Sequence, residues 1–217
     1  MRRALLLALV AVVAGCGGDG NGEDTEPSAA PPNPDCRQVE TPDARPPATL
    51  EAPSVILSAD AQVTARVVTS CGAFTISLVP ETSPNAVTSF VALAKRDYFD
   101  GTYFHRVVPG FVIQGGDPTG TGAGGPGYTT VDTPAPGTRY TRGVVAMAKT
   151  AAEEAGAAGS QFFVVTGDEV ALPPDYAVIG EVTEGLDVVG LIGRLGDPNT
   201  ELPTQPVVID DIVLAGA

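Results

Sequence analysis

The sequence predicts a mainly β domain, a closed antiparallel barrel with two α-helices, behind a non-globular N-terminal region. Short runs of alternating polarity recur from residue 63 to the C-terminus, and only two segments have the period of an amphipathic helix. The N-terminal region differs, since the first aromatic residue of the chain is Phe74. We expect closure of the barrel because a closed sheet has no unpaired edge strand.

Residues 1–15 predict a signal peptide. Arg2 and Arg3 precede an apolar run at 4–14, which is shorter than the ~20 residues that a membrane-spanning helix needs. The segment Val-Ala-Gly-Cys that ends at Cys16 resembles the bacterial lipobox, which implies that the Cys16 thiol is lipidated. An ordinary secretory signal with an incidental Cys is the alternative. We therefore expect an exported protein, anchored only by its lipid at the outer face of the bacterial cell membrane or on its periplasmic side.

Residues 16–60 are predicted to consist of the lipidated Cys followed by a Pro-rich flexible tether. The segment 17–60 contains eight of the chain's 20 prolines and no aromatic residue, so it cannot bury enough surface to fold alone. Lipidation of Cys16 leaves Cys36 and Cys71, and an exported compartment favours a disulfide between them. Two free buried thiols are the alternative. The bridge would attach the second half of the tether to the domain.

Residues 61–217 predict the folded domain. Alternating polarity at 63–67 and 74–78, around the turn Ser70-Cys71-Gly72, predicts a β-hairpin. Ser83 and Pro84 then supply an N-cap and an N1 proline for a helix. Its apolar face consists of Val87, Phe90, Val91 and Ala94.

The remainder of the domain predicts mostly strands. Five of them are expected at 103–107, 111–114, 143–148, 161–166 and 177–182. A second helix should begin at Thr183 and Glu184 and present Leu186, Val189 and Ile192 on one face, and a last strand follows at 206–214. The Gly-rich run at 120–125 has the spacing of a dinucleotide fingerprint, but no helical pattern follows it, so we interpret it as a loop.

Composition excludes several classes of function. The 217 residues include 26 acidic and 12 basic side chains, for a formal net charge of −14. Nucleic-acid binding and polybasic contact with anionic lipid both need clustered basic side chains, and Lys95 and Lys149 are the only lysines. One His and three Cys leave little for a zinc site. We expect no nucleic-acid partner, no metal and no cofactor.

Two blocks of sequence carry the candidate chemistry. They are YFHRVVPGFVIQGGD at 103–117 and GSQFFVVT at 159–166, and each places a long polar side chain among aromatic residues on a predicted strand. From the residues alone, Arg106 could equally be a surface charge, with Phe111 and Phe163 in the core. His105 is expected to be buried with its hydrogen bonds satisfied.

The run FHRVVPGFVIQGGDPTGTGAGG, with GVVAMAK and GSQFFVVT after it, resembles the signature of the cyclophilin-type peptidyl-prolyl cis-trans isomerases over about residues 63–214. The resemblance implies an eight-stranded antiparallel barrel capped by two helices, with an active site on one outer face. It also implies that the partners are proline-containing polypeptides. We expect a monomer that assists the folding of exported proteins, and the alternative is a proline-peptide-binding holdase without significant turnover.

The resemblance also assigns roles to individual residues. Arg106 matches the catalytic arginine. The substrate-binding matches are Phe111, Val112, Phe163 and Leu172 for the pocket that receives the proline ring, Gln114 beside the arginine, Ala148, Lys149, Thr150 and Gln161 for the peptide and the residues before the proline, and Tyr176 where the family has a pocket histidine. The position of a frequent pocket tryptophan is Ala171.

Overall fold

The computed structural model describes Asn33 and residues 35–216. The expected signal peptide and Cys16 lie outside this part of the chain, so they stay predictions. Within the described part, no helix has the length and apolar character needed to cross a membrane.

The described residues form two helices and twelve strands. The helices are α1 (Pro84–Ala94) and α2 (Leu186–Gly193). The strands are β1 (Thr64–Thr69), β2 (Gly72–Leu78), β3 (Arg106–Val108), β4 (Val112–Gly115), β5 (Thr130–Val131), β6 (Tyr140–Thr141), β7 (Val144–Met147), β8 (Ala157–Ala158), β9 (Phe162–Val165), β10 (Glu169–Val170), β11 (Val178–Glu184) and β12 (Ile209–Ala215).

Eight strands form one antiparallel sheet, in the order β12-β1-β2-β11-β7-β9-β4-β3. The predicted hairpin is confirmed, because β1 and β2 pair up to the contact between Thr69 and Gly72. The other four strands form two small ribbons that were not predicted, β10 with β6 and β5 with β8.

The large sheet is open, so the prediction of a closed barrel was wrong. The segments that precede its two end strands, β3 and β12, meet at an isolated bridge between Tyr103 and Val208. The strand predicted at 103–107 is reduced to β3, which has three residues. The Val107 N–H donates to the Glu201 carbonyl at 2.8 Å. A loop therefore covers part of the edge of β3, which would have been paired with another strand in a closed barrel.

Helix α1 begins where the sequence predicts, but its cap comes from elsewhere. Ser83 makes no side-chain hydrogen bond to the first turn. The Asp132 carboxylate instead accepts the Ala86 N–H at 2.7 Å and Asn85 Nδ2 at 2.8 Å. A carboxylate at a helix N-terminus is favourable, so a residue distant in sequence replaces the expected local cap.

Helix α2 begins later than predicted, because Thr183 and Glu184 belong to β11. The intervening Gly185 has a φ of +79°. A Cβ added there would lie 2.5 Å from the Ala73 carbonyl oxygen. Only glycine fits this left-handed turn, and the turn determines where the helix starts.

Two apolar clusters lie on opposite faces of the large sheet. The main core contains Phe162 and Val164, together with apolar side chains of α1 and α2. The second cluster contains Phe163 and Val165 from the same strand, because successive residues of a strand face opposite sides. Its buried members are Val112, Tyr140, Ala146, Phe163, Val165 and Val170. The second cluster supports the outer surface on which the candidate site lies.

Residues 35–60, which we call the N-terminal strap, lie along the domain. A disulfide joins Cys36 to Cys71, the pairing that the sequence favours, with 4.1 Å between the Cα atoms. Both half-cystines are buried. The Arg37 N–H donates to the Ser70 carbonyl at 2.7 Å, and its guanidinium pairs with Asp210 at 2.7 Å.

Further contacts continue along the strap. The N–H groups of Arg45 and Leu50 donate to the carbonyls of Pro118 and Pro126 at 2.9 and 2.8 Å. The Leu57 N–H donates to Thr88 Oγ1 at 2.9 Å. The strap thus differs from the flexible tether expected here. Its composition shows that it cannot fold alone, but a segment can also be ordered by contacts with a neighbouring surface.

Candidate active site

A cavity of about 270 Å³ opens on the outer face of the sheet. We call it the strand cavity. It is lined by Arg106, Phe111, Val112, Gln114, Ala148, Lys149, Phe163, Leu172 and Tyr176. All nine are among the eleven residues that the sequence analysis assigned to the site, and the structure brings them together.

Strand register creates this arrangement. Arg106 on β3 lies opposite Gln114 on β4, and Gln114 lies opposite Phe163 on β9. Directly opposed residues of antiparallel strands project to the same face. The cation, the amide and the aromatic ring therefore form a row across three adjacent strands.

The Arg106 guanidinium is held on several sides at the mouth of the strand cavity. Its Nε donates to Glu201 Oε2 at 2.7 Å. Its Nη1 donates to Gln114 Oε1 at 3.4 Å, and its Cζ lies 5.9 Å from the centre of the Phe111 ring. An arginine is charged at any physiological pH. The site thus presents a fixed cation beside an apolar cavity.

Aromatic side chains form one wall of the strand cavity. The rings of Phe163 and Tyr176 are edge to face, with centroids 5.5 Å apart. Tyr140 fixes this wall from below, because its hydroxyl donates to the Tyr176 carbonyl at 2.9 Å and accepts the Tyr176 N–H at 3.0 Å. Burial raises the pKa of Tyr140, so its phenol stays protonated at neutral pH. Lys149 Nζ lies 5.6 Å from the Tyr176 ring centre, at the cavity rim.

A second cavity, of about 430 Å³, adjoins the first. We call it the loop cavity. The two cavities share Gln114, Ala148 and Lys149, and the two remaining predicted residues, Thr150 and Gln161, line the loop cavity. Its other walls come from residues 122–127, from Pro47 and Ala48 of the strap, and from Tyr128, Thr129, Glu153, Gly159 and Ser160.

One buried carboxylate organises the glycine-rich loop of the second cavity. Asp117 accepts the N–H groups of Thr119, Gly122 and Gly124 at 2.7, 2.7 and 3.1 Å, and the Thr119 hydroxyl at 2.8 Å. Burial acts to raise the pKa of Asp117, but these hydrogen bonds outweigh it and hold the pKa below its ordinary value. The segment is a loop, as predicted, and its shape depends on a charged Asp117.

Two glutamines connect the cavities. Gln114 Nε2 donates to Gln161 Oε1 at 3.0 Å. Gln161 Nε2 in turn donates to the carbonyls of Gly122 and Gly124, both at 2.9 Å. A continuous chain of hydrogen bonds thus runs from Arg106 to the glycine-rich loop.

His105 differs in one respect from the sequence-based prediction. It is buried as predicted, but within residues 35–216 neither ring nitrogen has a hydrogen-bond partner. Burial lowers the pKa of His105, so the ring is neutral at pH 7. The expectation of a satisfied histidine was therefore wrong.

Sequence reasoning missed several residues of the site. Asp117 precedes Pro-Thr-Gly, a turn signal that could have marked it as the organiser of the loop. Tyr140 and Glu201 lie outside the two sequence blocks and had no local signal. Pro47 was assigned to a tether, and only the folded contacts place it beside the loop cavity.

The chemistry available is that of a cation beside a cavity of about 270 Å³ with apolar and aromatic walls. Among Asn33 and residues 35–216, no group of three or more His, Cys, Asp or Glu side chains could hold a metal ion. The site can bind an apolar ring and place a hydrogen-bond donor with positive charge beside it.

A known protein family and several known proteins resemble this chain in sequence. The model of the family "Cyclophilin type peptidyl-prolyl cis-trans isomerase/CLD" matches residues 64–214. The probable peptidyl-prolyl cis-trans isomerase A of Mycobacterium bovis is 38% identical over an alignment of 180 residues that covers 75% of this chain and 97% of that protein. The peptidyl-prolyl cis-trans isomerase B of Bacillus subtilis is 46% identical over 112 residues, or 51% and 76% of the two chains.

A solved structure has the same fold. It is a cyclophilin-type peptidyl-prolyl cis-trans isomerase of Cryptosporidium parvum, crystallised in the presence of the dipeptide Ala-Pro. Its TM-score to this chain is 0.63 at 31% identity, over 70% of this chain and 98% of that one. With the family match covering most of the folded domain, the chain belongs to the cyclophilin-type peptidyl-prolyl cis-trans isomerases.

Proposed function

We propose that this isomerase acts on X–Pro bonds of exported polypeptides and assists their folding, with Arg106 as the catalytic residue. The observation that carries the proposal is the guanidinium of Arg106, held at the mouth of the apolar strand cavity by bonds to Glu201 and Gln114. The Cryptosporidium parvum structure was determined in the presence of the dipeptide Ala-Pro, which supports a proline-containing ligand for the cavity.

The chemical task is to lower a rotational barrier. The cis and trans forms of an X–Pro bond differ by only ~0.5–1 kcal/mol. The barrier between them is ~18–20 kcal/mol, because twisting the amide breaks its resonance. In the twisted state the proline nitrogen regains a lone pair. A group that interacts with that lone pair stabilises the twisted state more than either planar state, and so accelerates the reaction.

The strand cavity supplies both requirements. Phe111, Phe163 and Leu172 enclose the proline ring and hold it while the preceding carbonyl rotates. Arg106 donates a charged hydrogen bond to the proline nitrogen as its lone pair forms. Arginine suits this role because it keeps its charge and is weakly hydrated.

An isomerisation assay with an X–Pro tetrapeptide tests the role of Arg106 in the full chain. We expect Arg106→Ala to lower kcat/KM by ~10²-fold, about 2.7 kcal/mol of transition-state stabilisation. Arg66→Ala is the matched control, since Arg66 is exposed on β1, away from the site. A wild-type rate equal to that of buffer would contradict turnover and favour the holdase alternative.

We further propose that the protein is exported and anchored through a lipid on Cys16. The support comes from sequence: a short apolar run after two arginines, ending at a small-residue site with Cys16. Expressed in a bacterium, the full chain should partition into detergent, whereas Cys16→Ser should be released or remain unprocessed. Cys36→Ser is the control that keeps Cys16 and should still partition. Equal partitioning of wild type and Cys16→Ser would contradict lipidation.

A further inference from the structure

We infer that Glu201 is a positioning residue for Arg106: it fixes the guanidinium so that one edge stays available to the substrate. The inference deepens the proposed function and rests on the catalytic role of Arg106. Glu201 lies 95 positions from Arg106 in sequence, in the loop that covers the edge of β3. We call residues 196–203 the arginine loop.

The contact between Glu201 and Arg106 is specific in its geometry. Glu201 Oε2 accepts Arg106 Nε at 2.7 Å, while Gln114 Oε1 accepts Nη1 from the other side. These two bonds occupy different edges of one planar group and so fix its orientation. They leave Nη2 to donate to a substrate.

The arginine loop is built to place Glu201 at this point. Its ends are joined by a bridge between Gly196 and Pro203. Asp197 closes it internally, because its carbonyl accepts the Glu201 N–H and its own N–H donates to the Leu202 carbonyl, both at 2.8 Å. The Glu201 carbonyl accepts the N–H of Val107, the residue that follows Arg106. The backbone of Glu201 is therefore fixed to the strand that carries the arginine.

The backbone conformation of Glu201 indicates that this residue does not serve to stabilise the fold. Its φ is +59°, in the left-handed region that Gly and Asn adopt more readily than Glu. The ion pair offers little in return, since the side chains of Arg106 and Glu201 are 35% and 47% exposed and solvent screens such pairs. A strained residue with a weakly stabilising contact, next to a proposed catalytic group, indicates a functional role.

Replacing Glu201 by Gly or by Asn separates a role in positioning Arg106 from a role in stability. Both residues suit the left-handed backbone, and both remove the carboxylate from Arg106. We expect kcat to fall by about 10-fold, with KM nearly unchanged, because misplacing a catalytic group by 1 Å can cost as much as 10²-fold. The melting temperature should stay the same or rise. Glu81→Asn, at an exposed turn after β2, removes an equal charge and should leave both quantities unchanged.

A double-mutant cycle provides the decisive measurement. If Glu201 acts only through Arg106, then Glu201→Gly should cause no further loss in an Arg106→Ala background. An additional loss there would overturn the inference. So would a Glu201→Gly variant with unchanged or raised kcat, or one whose activity falls together with its melting temperature. An inactive wild type in the same assay would instead contradict the proposed function.

Discussion

The strand cavity and the loop cavity share three residues, yet the molecule builds them by different means. The strand cavity consists of side chains on paired strands, supported by a buried apolar cluster. The loop cavity is bounded by the glycine-rich loop and by Pro47 and Ala48 of the N-terminal strap. Register fixes the first, whereas the second depends on Asp117 and on contacts distant in sequence. The first should therefore be rigid, and the second should be open to adjustment.

The largest effect should come from removing the wall of the strand cavity. Phe163 is buried in the second cluster and also lines the cavity. We expect Phe163→Ala to destabilise the fold by about 3–5 kcal/mol, the usual cost of truncating a buried aromatic residue. Chemical denaturation measures this loss, and kcat/KM should fall with it. Phe111→Ala is the comparison, since Phe111 lines the same cavity but is only partly buried, so its loss should affect activity more than stability.

A smaller effect should follow from replacing the carboxylate that shapes the loop cavity. Asp117→Asn keeps the shape of the side chain. It replaces one carboxylate oxygen, which accepts backbone N–H groups, by an NH2 group that cannot accept them. We expect a loss of about 1–3 kcal/mol, the cost of an unsatisfied buried polar group. Unlike Phe163→Ala, the variant should still isomerise a minimal dipeptide-like X–Pro substrate. Its kcat/KM should depend less on which residues precede the proline. Unchanged stability would contradict the organising role of Asp117.

The same carboxylate predicts a dependence on acid. Its pKa in the folded state is lowered below 3.8, so the stabilisation is complete above that pH and is lost as pH falls through the folded-state value. Melting temperature against pH should therefore drop less steeply below pH 4 in Asp117→Asn than in the wild type. Parallel curves would show that Asp117 does not contribute to acid sensitivity.

The smallest effect should come from releasing the strap. Reduction of the Cys36–Cys71 disulfide should lower stability by about 1–2 kcal/mol, less than the ~3–4 kcal/mol that loop entropy alone would give, since other contacts hold the strap. Isomerase activity on a short peptide should persist, because the strand cavity contains no strap residue. The double variant Cys36→Ser/Cys71→Ser serves as the control, and reductant should not affect it. Loss of short-peptide activity on reduction would contradict the separation of the two cavities.

The difference between the cavities also explains what the sequence could predict. Arg106, Gln114 and Phe163 come from two contiguous blocks on adjacent strands, where alternation and family motifs define the outward face. The position of Pro47 depends on contacts with a loop about 70 residues further along the chain, and no local pattern encodes them. Closure failed as a prediction for the same reason, because it depends on how the segments around Tyr103 and Val208 meet. Glu201 belongs to a turn whose partner is known only after folding.

Strand β9 places two neighbouring phenylalanines on opposite faces, Phe162 in the main core and Phe163 in the wall of the strand cavity. One peptide unit thus joins the main core of the domain to the wall of the proposed active site. A mutation that repacks the interior at Phe162 must also displace the ring beside it, so this strand has little freedom to diverge. Residues 120–125 of the glycine-rich loop belong to neither apolar cluster, so this loop has more freedom to diverge than β9. Selection for stability and selection for turnover therefore act on the same dipeptide, while substrate preference can evolve elsewhere.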